Sequence, residues 1–507
     1  RSRPSISDGI FGRAQATDRA RDGRLGRIKP RRAESSAAVA GPPFLSGKMS
    51  NDTAVLDQVK ESDAAAAREN RSILSGPRED IRELPAWFRE QGEQGWREFL
   101  SLPNPTRKDQ PWRFSNVDAL NLQPFQSGGL PSDDERNEIL DQSDVLAGSS
   151  ARIIFGNDQL LERDALPESL RRAGVIFQPL ERALIEHEEL VRRHFMVQPA
   201  ALGSGKFAAL HRAHVRAGTF VYVPRGVELE HPVEIFHWLV NKNAAVFPHL
   251  LLVADEMSKI TVIEHFRSLD TSAPGFSCGV NDLIAGSGAT VKYVCTQQWN
   301  EKTTALQINA TVVERDASAM SLNLHLGGAY SRFESLSRLV GEGARSDLLA
   351  VSVAHHQQEF DARTLQDHAC PQTTSDLLYK NALTDRSRTT FGGLIRVEPH
   401  AHFTDAYQKV RNLLLSDDAE ANSMPGLEIM ADNVKCSHGA TSGQVDEEEM
   451  FYLLSRGIPE IVAKHLIVGG FLDEVIARLS DKKIGDHLRE LIAEKFGRQI
   501  DRRAEAA

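Results

Sequence analysis

Two nearly equal intervals, 28 residues from Ala289 to Ala317 and 27 from Ala317 to Ala344, place a small residue after a charged or glycine-containing turn. The turns are Gly286-Ser287-Gly288-Ala289, Glu314-Arg315-Asp316-Ala317 and Gly341-Glu342-Gly343-Ala344, and Asp417-Asp418-Ala419 has the same texture. Around them, from about Phe207 onward, strand candidates of four to eight residues recur at 219–223, 233–239, 250–253, 259–266, 290–297 and 306–314. Others follow at 320–326, 348–355, 389–397 and 427–430. A strand–turn unit of that length buries its inner face only by stacking on its neighbours, which is how a β-solenoid is built. A β-sandwich with irregular loops also yields short strands between turns. The pattern alone leaves both open.

The ends read differently. Residues 49–205 read as a separate, mostly helical domain with a little strand. Leu84-Pro85-Ala86-Trp87 opens an amphipathic run to about Leu100, and Pro103 and Pro105 then mark a turn. Gln110-Pro111-Trp112-Arg113-Phe114-Ser115 is a compact aromatic element, with strands expected at 151–155 and 174–177 and a helix from Leu180 to about Phe195. Residues 442–507 switch to helical periodicity. Asp446 begins a D-x-x-E capping pattern with Glu449, and acidic residues in the first turn favour the helix dipole. Met450, Phe451, Leu453 and Leu454 form an apolar face, ended by Gly457 and Pro459. A second helix is expected over 459–479 with a break at Gly469-Gly470, and a third over 481–496 with Ile484, Leu488, Leu491 and Ile492 on one face.

Composition narrows the function classes. At 507 residues, with 41% apolar and 26% charged side chains, the chain exceeds one ordinary domain and reads as soluble. No run approaches the roughly 18 apolar residues of a membrane helix. The net charge of −10 is uneven: residues 1–48 hold 11 Lys/Arg against 4 Asp/Glu, a net +7, which leaves −17 for the rest. An acidic body repels phosphate backbones, so nucleic acid is not expected as the main partner. The basic head, rich in Arg, Ser, Ala and Gly, cannot bury a core and suits an organellar transit peptide, although an ordinary disordered tail shares that composition. Cys278, Cys295, Cys370 and Cys436 form no CxxC, so neither a disulfide framework nor a self-contained metal or cluster cage is encoded locally.

The loop at 41–49 superficially resembles a phosphate-binding loop, but it has one residue too many before Gly47-Lys48 and ends in Met49. No nucleotide site is expected in this chain, and any ATP would be hydrolysed by a partner. Cys436 and His438 are more informative. On an extended strand, residues i and i+2 project from one face, so a soft thiol and a borderline imidazole stand a few ångströms apart, as iron or persulfide chemistry requires. A nearby cation would favour the thiolate. Without further context such a pair is commonly structural. His400 and His402 form another i, i+2 pair, and His355-His356 is adjacent; for both a polar sheet face is expected before a metal site. Tyr222-Val223-Pro224 with His211, His214 and His231 offers a cupin-like metal reading, but lacks the His-x-His and following Glu of such sites. A secreted-type carbohydrate-active β-helix is the remaining alternative, and no matching carboxylate set stands out.

Three runs carry a family resemblance. They are Asn412-Leu413-Leu414-Leu415-Ser416-Asp417-Asp418-Ala419, Pro425-Gly426-Leu427-Glu428-Ile429, and Val434-Lys435-Cys436-Ser437-His438-Gly439-Ala440-Thr441. With Phe451-Tyr452-Leu453-Leu454-Ser455-Arg456-Gly457-Ile458, and upstream Pro111-Trp112-Arg113-Phe114 and Phe391-Gly392-Gly393, the chain resembles the SufB/SufD family over roughly residues 80–500. SufB-like members carry Cys-Glu-His-Glu-Ala where this chain has Cys436-Ser437-His438-Gly439-Ala440, which is the SufD form.

The resemblance implies a right-handed parallel β-helix over 206–441, flanked by the N-terminal α-rich domain and the C-terminal helical domain. It implies a non-catalytic scaffold that pairs edge to edge with a SufB-like subunit. His438 first and Cys436 second would contribute to a transient iron–sulfur cluster shared at that interface. The C-terminal helices, with Phe451, Tyr452 and Arg456, would dock a SufC-like ABC ATPase. A plastid stroma becomes the expected destination for the basic head, ahead of mitochondrion or cytoplasm.

Overall fold

The computed structural model describes residues 71–79 and 81–506, with side chains as far as Gly497. The basic head at 1–48 and the loop at 41–49 lie outside them.

Among the described residues, sixteen strands alternate between two sheets. They are β1 (Thr219–Val223), β2 (Val233–Leu239), β3 (His249–Ala254), β4 (Lys259–Ser268), β5 (Gly275–Ala285), β6 (Thr290–Gln298), β7 (Thr303–Val313) and β8 (Ser318–His325). Then follow β9 (Tyr330–Leu339), β10 (Arg345–Ala354), β11 (Glu359–His368), β12 (Thr374–Leu383), β13 (Arg388–Val397), β14 (Asp405–Leu414), β15 (Glu420–Ile429) and β16 (Lys435–Gln444). Odd strands form one sheet and even strands the other, each pairing in parallel with the strand one coil before and after. The register holds through the stack: Thr290, Ser318, Arg345, Thr374, Asp405 and Lys435 stand in one column, with coils of 27 to 31 residues. This is an eight-turn β-solenoid and not a sandwich.

The repeating turns have a physical cause. At each corner leading from an odd to an even strand from β3 onward, one residue takes a left-handed backbone: Met257, Gly288, Asp316, Gly343, Gln372, Phe403 and Asn433. The chain reverses there, and the next side chain turns into the tightly stacked interior. Ser258, Ala289, Ala317, Ala344, Thr373 and Thr404 occupy those positions and are all buried. Glycine fits the left-handed position without steric cost, and aspartate and asparagine tolerate it. Ala419 belongs to the opposite kind of corner, between β14 and β15.

The strands that periodicity failed to find include β9 and β11, which are crowded with charge. On their outer face Arg332 stands beside Asp361, and Glu334 beside Arg363. Arg332 Nη1 donates to Asp361 Oδ2 at 2.6 Å and Nε to Glu334 Oε1 at 2.8 Å. Its Nη2 donates to the carbonyls of Pro111 (3.1 Å) and Leu202 (2.9 Å), and the guanidinium lies 3.8 Å from the Trp112 ring centroid. The aromatic element at 110–115 is thereby clamped onto the solenoid. Around it α1 (Ala86–Ser101) packs against α6 (Gly205–His214), and Phe99, Trp112, Phe207 and Leu210 form one apolar cluster with Phe276 and Leu306 of the odd sheet. Between these lie α2 (Asp133–Gln142), α3 (Glu168–Arg172), α4 (Leu180–Glu186) and α5 (Glu188–His194). The single helix expected from Leu180 is broken at His187, whose φ of −133° is not helical.

At the other end, α7 (Glu447–Ser455) is capped by the Asp446 side chain, which accepts from the backbone N–H groups of Glu448 and Glu449. The next helix, α8 (Glu460–Ile476), runs unbroken through Gly469-Gly470, contrary to the expected interruption. Tertiary burial overrides the low helix propensity of glycine here. Val468, Leu472, Val475 and Ile476 pack with Ile484, Leu488 and Leu491 of α9 (Lys482–Ala506) over Ile263, Val294, Leu322 and Leu349 of the even sheet. Each such side chain contributes roughly 1.5–3 kcal/mol of burial. Lys380 fixes the same helix, donating to Phe471 O at 2.6 Å and pairing with Glu474. No helix among the described residues is long and apolar enough to cross a membrane.

Candidate functional site

Among the described residues the two ends of the solenoid differ. At its N-terminal end the sheets are closed by added strands: Ala151–Gly156 pairs with β2, and Ile176–Pro179 pairs antiparallel with β1. At the other end, β15 and β16 are the last strands of their sheets, and among the described residues nothing pairs with their outer edges. A row of N–H and C=O groups is therefore left open on both sheets, which is a ready template for another strand. Pro425 lies in β15, where the absence of an N–H is tolerated because the strand is at an edge. Small residues make up most of β16, which is exposed along nearly its whole length.

The pleat decides where the sequence-predicted pair points. Ala406, Gln408 and Val410 of β14 are buried, whereas Tyr407, Lys409 and Arg411 face outward. In register, Cys436 stacks on Ala406 and His438 on Gln408. Both therefore project on the inner side of the last coil, on one face as expected. Cys436 is half-buried against Ile395, Val397, Ala401 and Ala406, and His438 is exposed because no further coil covers it. Burial, and then the Asp405 carboxylate, push the Cys436 thiol above its ordinary value. The charge that bears on this cysteine is thus an anion, where thiolate activation needs a cation.

Phe451, Tyr452 and Arg456 come together on α7 and the turn after it. Phe451 is 72% and Tyr452 57% exposed, and the Arg456 guanidinium lies 5.1 Å from the Tyr452 ring centroid. Leu454, Ile461, Val462 and Leu466 extend this into an exposed apolar surface across α7 and α8. Sequence reading passed over the last three, because α8 is apolar nearly all round and only packing shows which side stays free.

The other candidates separate. Cys278 lies under the N-terminal helices, Cys295 inside the solenoid and Cys370 at a corner; burial raises the thiol pKa of the first two. His211 bonds to Cys278 O (2.8 Å) and His249, and His214 to Ile73 O (3.0 Å); burial pushes them down to about 3 and about 4. His231 is exposed elsewhere, so no cupin-like triad forms. His400 and His402 sit in the corner after β13 and not on a strand, so the shared-face argument fails for them. His355 and His356 do meet a partner. Glu301, 54 residues earlier, accepts from His355 Nε2 at 2.8 Å and from His356 Nδ1 at 3.1 Å. Nothing local in the sequence marks Glu301; only the coil stacking brings it there.

Comparison with known proteins agrees with this architecture. A family model described as the SUF system FeS cluster assembly SufBD core domain matches residues 237–471, and one described as the SufBD protein N-terminal region matches residues 84–235. The iron-sulfur cluster assembly protein SufD of Bacillus subtilis is 28% identical over 423 residues, covering 81% of this chain and 94% of the relative. SufB of the same organism is 26% identical over 397 residues, covering 77% and 81%. A SufBD family protein of Staphylococcus epidermidis is 28% identical over 354 residues, covering 69% and 72%. Two matches that together run almost continuously from residue 84 to 471, on an eight-turn solenoid flanked by helices, place the chain in the SufB/SufD family of iron–sulfur cluster assembly proteins.

Proposed function

We propose that this chain is the SufD-like, non-catalytic subunit of a cluster-assembly scaffold, which pairs with a SufB-like subunit through the open edges of β15 and β16. The observation that carries this reading is the uncapped last coil, with Cys436 and His438 on its inner side. Strand addition by a partner would satisfy the open backbone groups and enclose both side chains in a shared interface. There His438 would act as the principal ligand toward the nascent iron–sulfur cluster, which is the complex's cargo. Cys436, held as a thiol in the isolated chain, would play the second part. The Ser437 and Gly439 neighbours favour the SufD form over the SufB form.

The exposed surface of Phe451, Tyr452 and Arg456 is proposed to dock a SufC-like ABC ATPase, since the chain offers no phosphate-binding loop of its own. The basic head at 1–48 is proposed as a plastid transit segment, which a fluorescent fusion of residues 1–60 tests directly.

Co-expression with SufB-like and SufC-like partners, followed by anaerobic cluster reconstitution, tests the scaffold reading. His438→Ala is expected to leave folding and assembly intact while cluster formation collapses. Full cluster formation by that variant complex would overturn the role given to His438. Failure of the wild-type chain to co-purify with a SufB-like partner would overturn the pairing.

A further inference from the structure

We propose that Glu301, His355 and His356 form a binding site for one divalent transition-metal ion of the zinc or ferrous class, on the solenoid wall and apart from the open last coil. Glu301 lies in the connection from β6 to β7, and the two histidines lie in the turn from β10 to β11. These turns are on the same kind of corner, two coils apart, with Gly327-Gly328 between them. A Cβ at Gly327 would stand 2.0 Å from Trp299 O, and one at Gly328 2.2 Å from Ser331 Oγ. Gly327 and Gly328 therefore leave the intervening corner without a side chain at its centre, and the Glu301 carboxylate reaches past it to both imidazoles.

One carboxylate oxygen and one nitrogen from each ring lie within 4.8 Å of one another. Small rotamer adjustments would bring such a set to the roughly 2.0–2.2 Å of imidazole and carboxylate bonds to zinc. Two imidazoles and a carboxylate are the donor set that borderline first-row cations prefer, and three protein ligands leave room for water or an exogenous ligand. The set is built and not merely adjacent. The His355 side chain is 5% exposed, so packing holds its Nε2 toward Glu301. His356 is 46% exposed, which gives an ion a way in. His356 takes a left-handed backbone, φ 55°, and its N–H donates to Asp385 Oδ2 at 2.9 Å, fixing the turn. On binding, the proton that each ring offers Glu301 would move to the other ring nitrogen or to solvent, and the freed lone pair would face the shared centre.

A second charge bears on the site. Lys495 of α9 donates to Gln358 Oε1 at 2.9 Å, and its charge acts on both Glu301 and His355. An ammonium there opposes a dication, so removing it should tighten metal binding.

The test uses the full-length chain carrying Cys436→Ser and His438→Ala, so that the last coil contributes no ligands. After chelator treatment it is titrated with Co2+, read by visible ligand-field absorption, and with Zn2+, read by calorimetry. One saturable Co2+ per chain, displaced by Zn2+, is expected. In the same background, His356→Asn should weaken binding by more than about 100-fold, beyond the effect of losing an outer-shell partner. Asparagine keeps the left-handed turn, so this variant should melt as its parent does. Lys495→Met should tighten binding. Absence of saturable Co2+ binding, or binding unchanged in His356→Asn and in Glu301→Gln, would overturn the site.

Discussion

Replacing Arg332 with alanine removes a cation that holds two buried carboxylates and two backbone carbonyls at the junction of the N-terminal segment and the odd sheet. Its side chain is fully buried, as are those of Glu334 and Asp361. After the change Asp361 keeps Arg363 at 2.7 Å and the Ser115 hydroxyl at 2.5 Å, whereas Glu334 keeps only Ser204, through its hydroxyl and backbone N–H. Leaving one partner of a buried ion pair uncompensated costs about 3–5 kcal/mol. The carbonyls of Pro111 and Leu202 lose a donor, and Trp112 loses its cation–π contact. Against the 5–15 kcal/mol by which proteins of this kind are commonly stable, that is a large local loss. The element at 110–115 should detach before the solenoid unfolds, because the stacked coils keep their own ladder. Native-state hydrogen exchange reads this directly: protection of the Trp112 and Ser115 amides should fall by about two to four orders of magnitude, with β12 and β14 little changed. A double change, Arg332→Met with Glu334→Leu, should recover much of the loss, since it removes both charges of one pair and leaves Asp361 with Arg363, so that no charge is stranded. Unaltered exchange at Trp112 and Ser115 in Arg332→Ala would refute the clamp.

Other outcomes follow from single positions. Gly343→Val puts a Cβ 2.3 Å from Asp316 Oδ1 at a φ of 74°, and should lower stability in urea unfolding by about 1–3 kcal/mol, whereas Gly439→Ala, which meets nothing, should be neutral to slightly stabilising. Burial raises Asp282 to about 7, so between about pH 4 and 7 the folded state holds a proton that the unfolded chain releases. Its contribution to stability is fully present below pH 4 and is lost as pH rises toward 7; the stability difference between wild type and Asp282→Asn should therefore shift by at most roughly 4 kcal/mol across that window in favour of the variant. A difference independent of pH would refute it. Phe451→Ser with Leu466→Ser should leave the melting temperature nearly unchanged, both side chains being exposed, yet abolish retention of a SufC-like ATPase in pull-down.

The parts legible in the sequence were those with a local signature. The left-handed corner followed by a buried small residue repeats at Gly288-Ala289, Asp316-Ala317 and Gly343-Ala344 because each coil meets the same steric demand, so the spacing offered a stacked fold beside a sandwich, and the register across coils decided between them. The Asp446 cap was equally local. Strands β9 and β11 were hidden because both of their faces are buried, one under the N-terminal segment, and that outer face is filled with paired charge instead of apolar side chains. The unbroken α8 was hidden because the sheet beneath it, and not glycine propensity, decides its continuity.

For the candidate site, the order of residues determined that Cys436 and His438 share a face of one strand, since i and i+2 always do in an extended chain. Only the tertiary structure decided that this face is the inner one of a coil on which no further strand stacks among the described residues, so that His438 is open while Cys436 is half-covered beside a carboxylate. Likewise only the stacking of coils carries Glu301 past a glycine corner to His355 and His356. Register across a parallel solenoid is a property of the whole ladder, and no single stretch of sequence contains it.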